Sequence, residues 1–143
     1  MEGAGANTDG RGDIIAVFIA DDKPEMRELV RFGLEGDPRI QVVGEASTGR
    51  AAILGTEASR PHAVVLDLSM PDMDGFQAIL EIRSRHPTVA IVVLSGFPAD
   101  RMATRVIDQG GDAYLEKGTS LTELRELISR LVAERRSAER RAA

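Results

Sequence analysis

Short apolar runs alternate with longer segments of helical periodicity along most of this 143-residue sequence. The apolar runs predict strands that are buried on both faces of a sheet, at residues 14–20, 40–46, 63–67, 90–95 and 113–116. The segments between and after them predict helices, at residues 24–35, 48–59, 74–85, 99–109 and from 120 onward. Strict alternation of strand and helix predicts an α/β fold, with a doubly wound five-stranded parallel sheet and helices on both faces. The strand order stays open at this point.

The length of the chain fits a single domain. Residues 1–13 are rich in glycine and alanine and have no periodicity, which predicts a flexible N-terminal tail. We expect the folded domain over residues 14–132. Residues 133–143 are strongly charged and are expected to form a tail or an extension of the last helix.

Composition excludes several classes of function. The net charge is −5 and the chain has only four phenylalanines and one tyrosine, so neither phosphate attraction nor base stacking favours direct contact with nucleic acid. No run approaches the ~20 apolar residues of a membrane span, and the N-terminus does not resemble a signal peptide. The chain has no cysteine, which excludes disulfides and thiolate chemistry. We therefore expect a cytoplasmic protein that does not bind a membrane.

Polar side chains stand at the predicted carboxyl ends of four strands. Asp21 and Asp22 follow the first strand, Asp67 ends the third and Ser95 ends the fourth. The fifth strand ends in Glu116 and Lys117. The carboxyl ends of parallel strands meet at one edge of the sheet, which is where ligands bind in open α/β folds. We therefore expect these side chains to lie together.

The charges in this predicted cluster require compensation. Asp21, Asp22 and Asp67 would raise one another's pKa values unless cations lie beside them. Lys117 supplies one positive charge, and a divalent ion would supply two more. Oxygen ligands without histidine or cysteine favour Mg²⁺ over zinc. Such a site suits phosphoryl transfer, and a carboxylate can itself be the nucleophile that forms an aspartyl-phosphate.

The chain from about 14 to 132 resembles the receiver domain of two-component response regulators. The matching motifs are Asp21-Asp22, the LDLSMPDMDG stretch around Asp67, Ser95-Gly96, and the YLEK stretch that ends at Lys117. The resemblance implies the flavodoxin-like strand order 2-1-3-4-5. The stretches VVGEASTGRAA and AYLEKGTSLTEL are most similar to receivers that precede a helix-turn-helix output domain.

The resemblance also implies a metal site and a phosphoacceptor. Asp67 would accept a phosphoryl group from a sensor histidine kinase or from a small phosphodonor. Asp22 would bind Mg²⁺ directly, and Asp21 would bind it directly or through water. Asp67 itself and the backbone carbonyl of Ser69 would complete the set of protein ligands.

Three further residues are implied to respond to the phosphoryl group. Lys117 would neutralise one of its oxygens, and Ser95 would donate a hydrogen bond to it and draw its own loop inward. Tyr114 would be the aromatic residue whose rotamer follows Ser95. The result would be a shift from an inactive to an active population.

The sequence departs from the family pattern in two places. Gly118 follows Lys117 where the family usually has a proline, often after a cis bond, so the geometry of that bond stays open. Ser95 replaces the commoner threonine and keeps its hydroxyl. The chain has no room for a DNA-binding domain after its last helix, which implies a stand-alone regulator or one domain of a longer protein. The implied output partner is a downstream protein or a second copy, bound through the fourth and fifth helices.

Two other functions stay open. The chain could be a receiver-like scaffold that is never phosphorylated, although its complete set of acids, hydroxyl and lysine argues against this. It could also be a phosphatase with an aspartate nucleophile, but such enzymes need an acid two residues after the nucleophile, where this chain has Ser69. We therefore expect a signalling domain that catalyses only its own phosphorylation and dephosphorylation.

Several of these residues also have plain structural interpretations. Asp21 and Asp22 could cap the first helix, Ser95 could bind a loop amide, and Tyr114 could simply pack in the core. Turn, cap or solvent positions are expected for four others, namely Asp72, Asp74, His62 and His86.

Overall fold

A computed structural model of the chain describes residues 14–142. The strands are β1 (Ile15–Ala20), β2 (Ile40–Ala46), β3 (Ala63–Leu66), β4 (Ala90–Ser95) and β5 (Ala113–Glu116). The helices are α1 (Pro24–Leu34), α2 (Gly49–Ser59), α3 (Gly75–Arg85), α4 (Ala99–Gln109) and α5 (Leu121–Ala142). For every element except α5, whose end was not predicted, both bounds lie within one residue of the predicted ones. The predicted flexible tail, residues 1–13, lies outside the described residues.

The sheet has the order β2-β1-β3-β4-β5, and all neighbouring strands are parallel. This confirms the predicted doubly wound fold and its flavodoxin-like order. Ala20 of β1 pairs with Leu66 of β3, and the backbone N–H of Asp67 donates to the carbonyl of Ala20 at 2.9 Å. The chain therefore leaves β1 and β3 at the same level, so the residues that follow both strands meet at one edge.

Two apolar layers cover the two faces of the sheet. Alternate residues of β3 face opposite layers: Val64 and Leu66 join the layer beneath α2, α3 and α4, whereas Val65 joins the layer beneath α1 and α5. The second layer includes Leu124 and Ile128 of α5, which are almost fully buried. Each such aliphatic side chain contributes about 1.5–3 kcal/mol on burial, so this packing holds α5 against the sheet.

Aspartates organise the turn that follows β3. Asp74 caps α3, where its carboxylate accepts a hydrogen bond from the backbone N–H of Phe76 at 2.8 Å. Asp72 instead caps α2, accepting from the backbone N–H groups of Gly49 at 2.7 Å and Arg50 at 2.9 Å. The predicted turn and cap positions of both aspartates are confirmed. Because Asp72 reaches a different helix, it also ties the turn to the body of the domain.

The prediction that both histidines are solvated is wrong for His86. Its side chain is only 10% exposed, and its Nε2 atom lies 3.4 Å from a carboxylate oxygen of Glu57 on α2. His62 is exposed, but its Nδ1 atom accepts a hydrogen bond from the backbone N–H of Ala16 at 2.9 Å. Both rings thus contact neighbouring elements of the fold.

Among the helices of residues 14–142, none combines the length and the hydropathy that a membrane span needs.

Candidate functional site

The register of β1 and β3 brings three carboxylates together at the carboxyl edge of the sheet. Asp21, Asp22 and Asp67 each offer a carboxylate oxygen within 4.8 Å of the other two. Asp21 and Asp67 are buried, whereas the Asp22 side chain is 34% exposed. The cluster is therefore reached from solvent on the side of Asp22.

Asp67 is the most deeply placed of the three acids, with 3% of its surface exposed. Burial raises the pKa of its carboxyl above the ordinary value, and the negative charge of Asp21 adds to this effect. The positive charge of Lys117 and a hydrogen bond from the backbone of Ser69 lower the same pKa, without cancelling the rise. An additional cation would therefore favour the ionised form of Asp67.

Lys117 bridges two of the acids. Its Nζ atom lies 3.0 Å from Oδ2 of Asp21 and 3.3 Å from Oδ2 of Asp67. Burial lowers the pKa of the ammonium group, but the hydrogen bond to Asp21 and the charge of Asp67 outweigh burial, so the net pKa is raised. Lys117 is therefore fixed as a cation between the two carboxylates.

The backbone around Lys117 explains how the side chain is aimed. The N–H of Lys117 donates to the carbonyl of Ser95 at 2.7 Å, which continues the pairing of β4 and β5. Gly118 then has a φ of +104°, a conformation that glycine adopts at little cost and that proline cannot adopt. Because residues 14–142 contain no cis peptide bond, the bond between Lys117 and Gly118 is trans.

Asp22 provides the clearest test of whether this cluster suits a cation. Its Oδ1 atom is buried and has no hydrogen-bond partner within the described part of the chain, and the Nζ atom of Lys23 lies 4.0 Å from it. Both oxygens of Asp21, by contrast, are engaged, one by the N–H of Lys23 at 2.9 Å and the other by Lys117. Buried polar atoms are rarely left unpaired, so the open lone pairs of Asp22 fit a metal ion.

The all-oxygen donor set and the local charge fit Mg²⁺. Lys117 is the one ammonium group within hydrogen-bond distance of the three carboxylates among the described residues, since that of Lys23 is mostly exposed and 4.0 Å from Asp22. No histidine or cysteine belongs to the cluster. Ser69, whose carbonyl is the fourth predicted ligand, lies in the turn after Asp67 and forms an antiparallel bridge with Asp74. The capping interpretation holds in part for Asp21, which accepts from the backbone N–H of Lys23, the N-cap residue of α1, although no side chain of that residue caps the first turn.

Ser95 and Tyr114 both contact the loop between β4 and α4. Ser95 is fully buried at the end of β4, and its Oγ atom accepts a long hydrogen bond from the N–H of Phe97 at 3.4 Å. The hydroxyl of Tyr114 donates to the carbonyl of Phe97 at 2.5 Å. Tyr114 is therefore more than a packing residue, since it anchors the same loop residue as Ser95.

The contact that caps the helix after this loop was not predicted from the sequence. The N-cap residue of α4 is Pro98, which offers no side-chain acceptor, and the carboxylate of Glu116 instead accepts from the N–H of Ala99 at 2.8 Å. Glu116 directly precedes Lys117, so one short strand carries both the cation of the site and the cap of α4. The signal in the sequence was a proline before the helix without a capping residue beside it.

Comparisons with known proteins agree with this geometry. Residues 17–129 match the family model of the response regulator receiver domain. The response regulator protein VraR of Staphylococcus epidermidis is 34% identical over 118 residues, which are 80% of this chain and 54% of VraR. The uncharacterized transcriptional regulatory protein YhcZ of Bacillus subtilis is 38% identical over 108 residues, which are 76% of this chain and 50% of YhcZ. The chain thus spans about half the length of these relatives.

A solved structure extends the likeness to the fold. The signal receiver domain of NarL from Mycobacterium tuberculosis matches with a TM-score of 0.80 and 29% sequence identity, over 85% of this chain and 98% of that one. The relatives are response regulators of the LuxR/NarL type, which confirms the subgroup predicted from the sequence. With its sheet order, its acid cluster and the family match over most of its length, the chain belongs to the receiver domains of two-component response regulators.

Proposed function

We propose that this chain is a phosphoacceptor switch and that Asp67 is the residue that is phosphorylated. The observation that carries the proposal is the position of the Asp67 carboxylate, buried at the strand end and 3.3 Å from Lys117. A sensor histidine kinase or a small phosphodonor supplies the phosphoryl group. An Asp67 oxygen bonds to phosphorus as the bond from phosphorus to the donor breaks, and the donor keeps that electron pair.

Mg²⁺ would be held by Asp22, Asp21, Asp67 and the backbone carbonyl of Ser69. Asp22 is the strongest of these candidates, because its buried Oδ1 atom has no hydrogen-bond partner among the described residues and only a distant ion pair with Lys23, at 4.0 Å. When bound, the ion would neutralise charge on the transferring phosphoryl group. Asp21 would bind through its remaining lone pairs or through water, since both of its oxygens already accept hydrogen bonds.

Lys117 and Ser95 are proposed to act on the phosphoryl group after it has arrived. Lys117 already faces Asp67, so its ammonium can pair with a phosphoryl oxygen without a large movement. Ser95 would exchange its long contact with the N–H of Phe97 for a shorter bond to the phosphoryl group. Since Tyr114 is hydrogen-bonded to the same residue, Phe97, we infer that its rotamer follows the loop.

The output of the switch is proposed to be a protein contact. The fourth and fifth helices are the expected surface for a downstream protein or a second copy, and Ile107 of α4 is an apolar residue that is 49% exposed there. Because the donor is a sensor kinase in this proposal, the chain works in the cytoplasm.

The experiment is intact mass spectrometry after incubation with acetyl phosphate and Mg²⁺. We expect a gain of one phosphoryl group that is lost slowly by hydrolysis and is absent when a chelator removes the metal. Asp67→Asn should abolish the gain. Asp72→Asn is the matched control, because residue 72 lies in the same turn but caps α2, and asparagine keeps one of its two acceptor oxygens. Undiminished labelling of the Asp67 variant would overturn the proposal, and turnover of many equivalents of donor would indicate a phosphatase.

A further inference from the structure

A small cavity lies at the amino edge of the sheet, opposite the acid cluster. Its volume is about 270 Å³, slightly below the roughly 300–1,000 Å³ that is usual for drug-sized ligands. Its basic lining residues are Arg60, Arg85, Arg135, Arg136, His62 and His86. Among the described residues that line it, Glu139 is the one acid, so the lining carries three net positive charges when the histidines are neutral. The whole chain, by contrast, carries −5.

The protonation of His62 follows from its hydrogen bond to β1. Its Nδ1 atom accepts from the backbone N–H of Ala16 at 2.9 Å, so this nitrogen carries no proton. The proton of the neutral ring must then reside on Nε2, which makes Nε2 a donor. Burial lowers the pKa of His62 and the charge of Arg136 lowers it further, whereas the charge of Glu139 only partly opposes them. The neutral ring is therefore favoured.

The Nε2 atom of His62 faces a second donor. The Nη2 atom of Arg136 lies 3.4 Å away from it and already donates one N–H to the carbonyl of Ile14 at 2.6 Å. A guanidinium group has no acceptor, so these two facing nitrogens cannot hydrogen-bond to each other. Two N–H donors therefore converge at the wall of a cationic cavity, where a single acceptor atom could receive a hydrogen bond from each.

Three other arginines of the cavity are paired with acids, Arg135 with Asp112 in close contact and Arg60 and Arg85 more loosely. Arg60 has a φ of +46°, a left-handed conformation in which glycine or asparagine is usual, yet this position carries an arginine. Arg60 and Arg85 each contact a glutamate near them in sequence, at 3.5 Å in both cases. These distances are longer than those of charge-assisted hydrogen bonds, so both guanidinium groups retain N–H donors for another anion.

We propose that this cavity binds a small phosphate-type oxyanion, one oxygen of which accepts hydrogen bonds from Arg136 and from the Nε2–H of His62. Guanidinium groups match the geometry of phosphate oxygens, and the volume of the cavity fits a phosphate group with at most a small substituent. The binding site lies on the opposite edge of the sheet from Asp67. The proposal of an anion site therefore does not rest on the proposed phosphorylation.

The test is a titration with inorganic phosphate in the absence of Mg²⁺, followed through the ring signals of His62 in the NMR spectrum. We expect a saturable shift of those signals and a higher pKa for His62, because the bound anion stabilises the charged ring. Potassium chloride at equal ionic strength should produce neither effect. A parallel titration with glycerol phosphate shows whether the natural ligand is a phosphate ester or free phosphate. A midpoint below that of inorganic phosphate identifies an ester, and an equal midpoint identifies the free anion.

Two variants of α5 locate the binding. Arg136→Gln should weaken phosphate binding about tenfold, the cost of one charge-assisted hydrogen bond. Arg141→Gln removes the same charge from an exposed position on the same helix and should leave the midpoint unchanged. A response that chloride reproduces, or equal weakening by both variants, would overturn the proposal. If Arg136→Gln proves too unstable to titrate, the unmodified protein still tests the proposal. The absence of a saturable shift of its His62 signals with phosphate would overturn it.

Discussion

The carboxylate of Glu116 accepts a hydrogen bond from the backbone N–H of Ala99 at 2.8 Å. This bond joins the last residue of β5 to the first residue of α4 across the loop that Ser95 and Tyr114 also contact. An anionic acceptor at a helix N-terminus also interacts favourably with the helix dipole. Lys117 follows Glu116 directly, so the cation beside Asp67 and the acceptor at the start of α4 are neighbours in sequence.

Removing this cap should loosen the beginning of α4. We expect Glu116→Ala to increase the exchange rate of the Ala99 amide about fivefold, because a lost helix cap costs about 1 kcal/mol. Hydrogen exchange measured by NMR reads this position directly. Glu126→Ala changes the same charge at an exposed position of α5 and should leave Ala99 unaffected. Equal protection of Ala99 in both variants would show that the bond does not hold the helix end.

The sequence predicted the fold and the acid cluster because both depend on local patterns. Apolar runs such as 90–95 are strands through their own hydrophobicity, and parallel pairing carries their ends to a common edge. Asp21, Asp22 and Asp67 could therefore be placed together without knowledge of side-chain contacts. The strand order, in contrast, came only from the resemblance to a family, since alternation is the same for many orders.

The contacts that sequence reasoning missed are between side chains and distant backbone. Asp72 was expected in a turn, but it caps a helix that begins more than twenty residues earlier. Glu116 caps α4 from a neighbouring strand, and His86 lies against α2 instead of in solvent. Each of these contacts depends on the lateral spacing of packed elements, which no periodicity within one segment encodes.

The raised pKa of Asp67 makes stability depend on pH. Burial, with the charge of Asp21, holds this pKa above its ordinary value of 3.8, so the folded state binds the proton more tightly than the unfolded chain. The ionised carboxylate therefore lowers stability as pH rises through the folded-state pKa. In a chelating buffer, we expect Asp67→Asn to raise the free energy of unfolding by about 1 kcal/mol at neutral pH.

Urea unfolding of the Asp67→Asn variant at several pH values shows whether the substitution stabilises the protein as expected. The difference from the unmodified protein should vanish only as the pH falls well below 3.8, the ordinary pKa, because both the folded and the unfolded chain then hold the proton. Adding Mg²⁺ at neutral pH should reduce this difference in the free energy of unfolding. The metal stabilises the carboxylate of the unmodified protein and not the amide of the variant. Asp108→Asn, at an exposed position of α4, is the control. A difference that is constant with pH would contradict the effect of burial.

Lys117 is expected to matter most when no metal is present. Lys117→Met leaves the carboxylates of Asp21 and Asp67 without their shared cation, and we expect a loss of about 2 kcal/mol in chelating buffer at neutral pH. Lys117→Arg keeps the charge and should lose less. Because Mg²⁺ can replace the missing charge, it should raise the melting temperature of Lys117→Met more than that of the unmodified protein. Equal shifts would show that the two cations act independently.

Far from this site, Arg83 of α3 connects several elements through one guanidinium group. It donates to the carboxylate of Asp112 at 2.7 Å, and the same carboxylate accepts from the N–H of Ile91 at 2.7 Å and contacts Arg135. The other N–H groups of Arg83 donate to four backbone carbonyls, those of Gly110, His86, Pro87 and Val89. The group thus joins the end of α3 to the turns that precede β4 and β5.

Replacing Arg83 by methionine should therefore be strongly destabilising. The change leaves a mostly buried Asp112 with one fewer cation and four carbonyls with one fewer donor, so we expect a loss of about 3 kcal/mol in the free energy of unfolding. Arg83→Lys keeps the charge but cannot serve these acceptors together, and its loss should be intermediate. Arg85→Met, two residues along the same helix and 48% exposed, should cost below about 1 kcal/mol. Urea midpoints measure all three, and similar losses for both methionine variants would refute the role of the network.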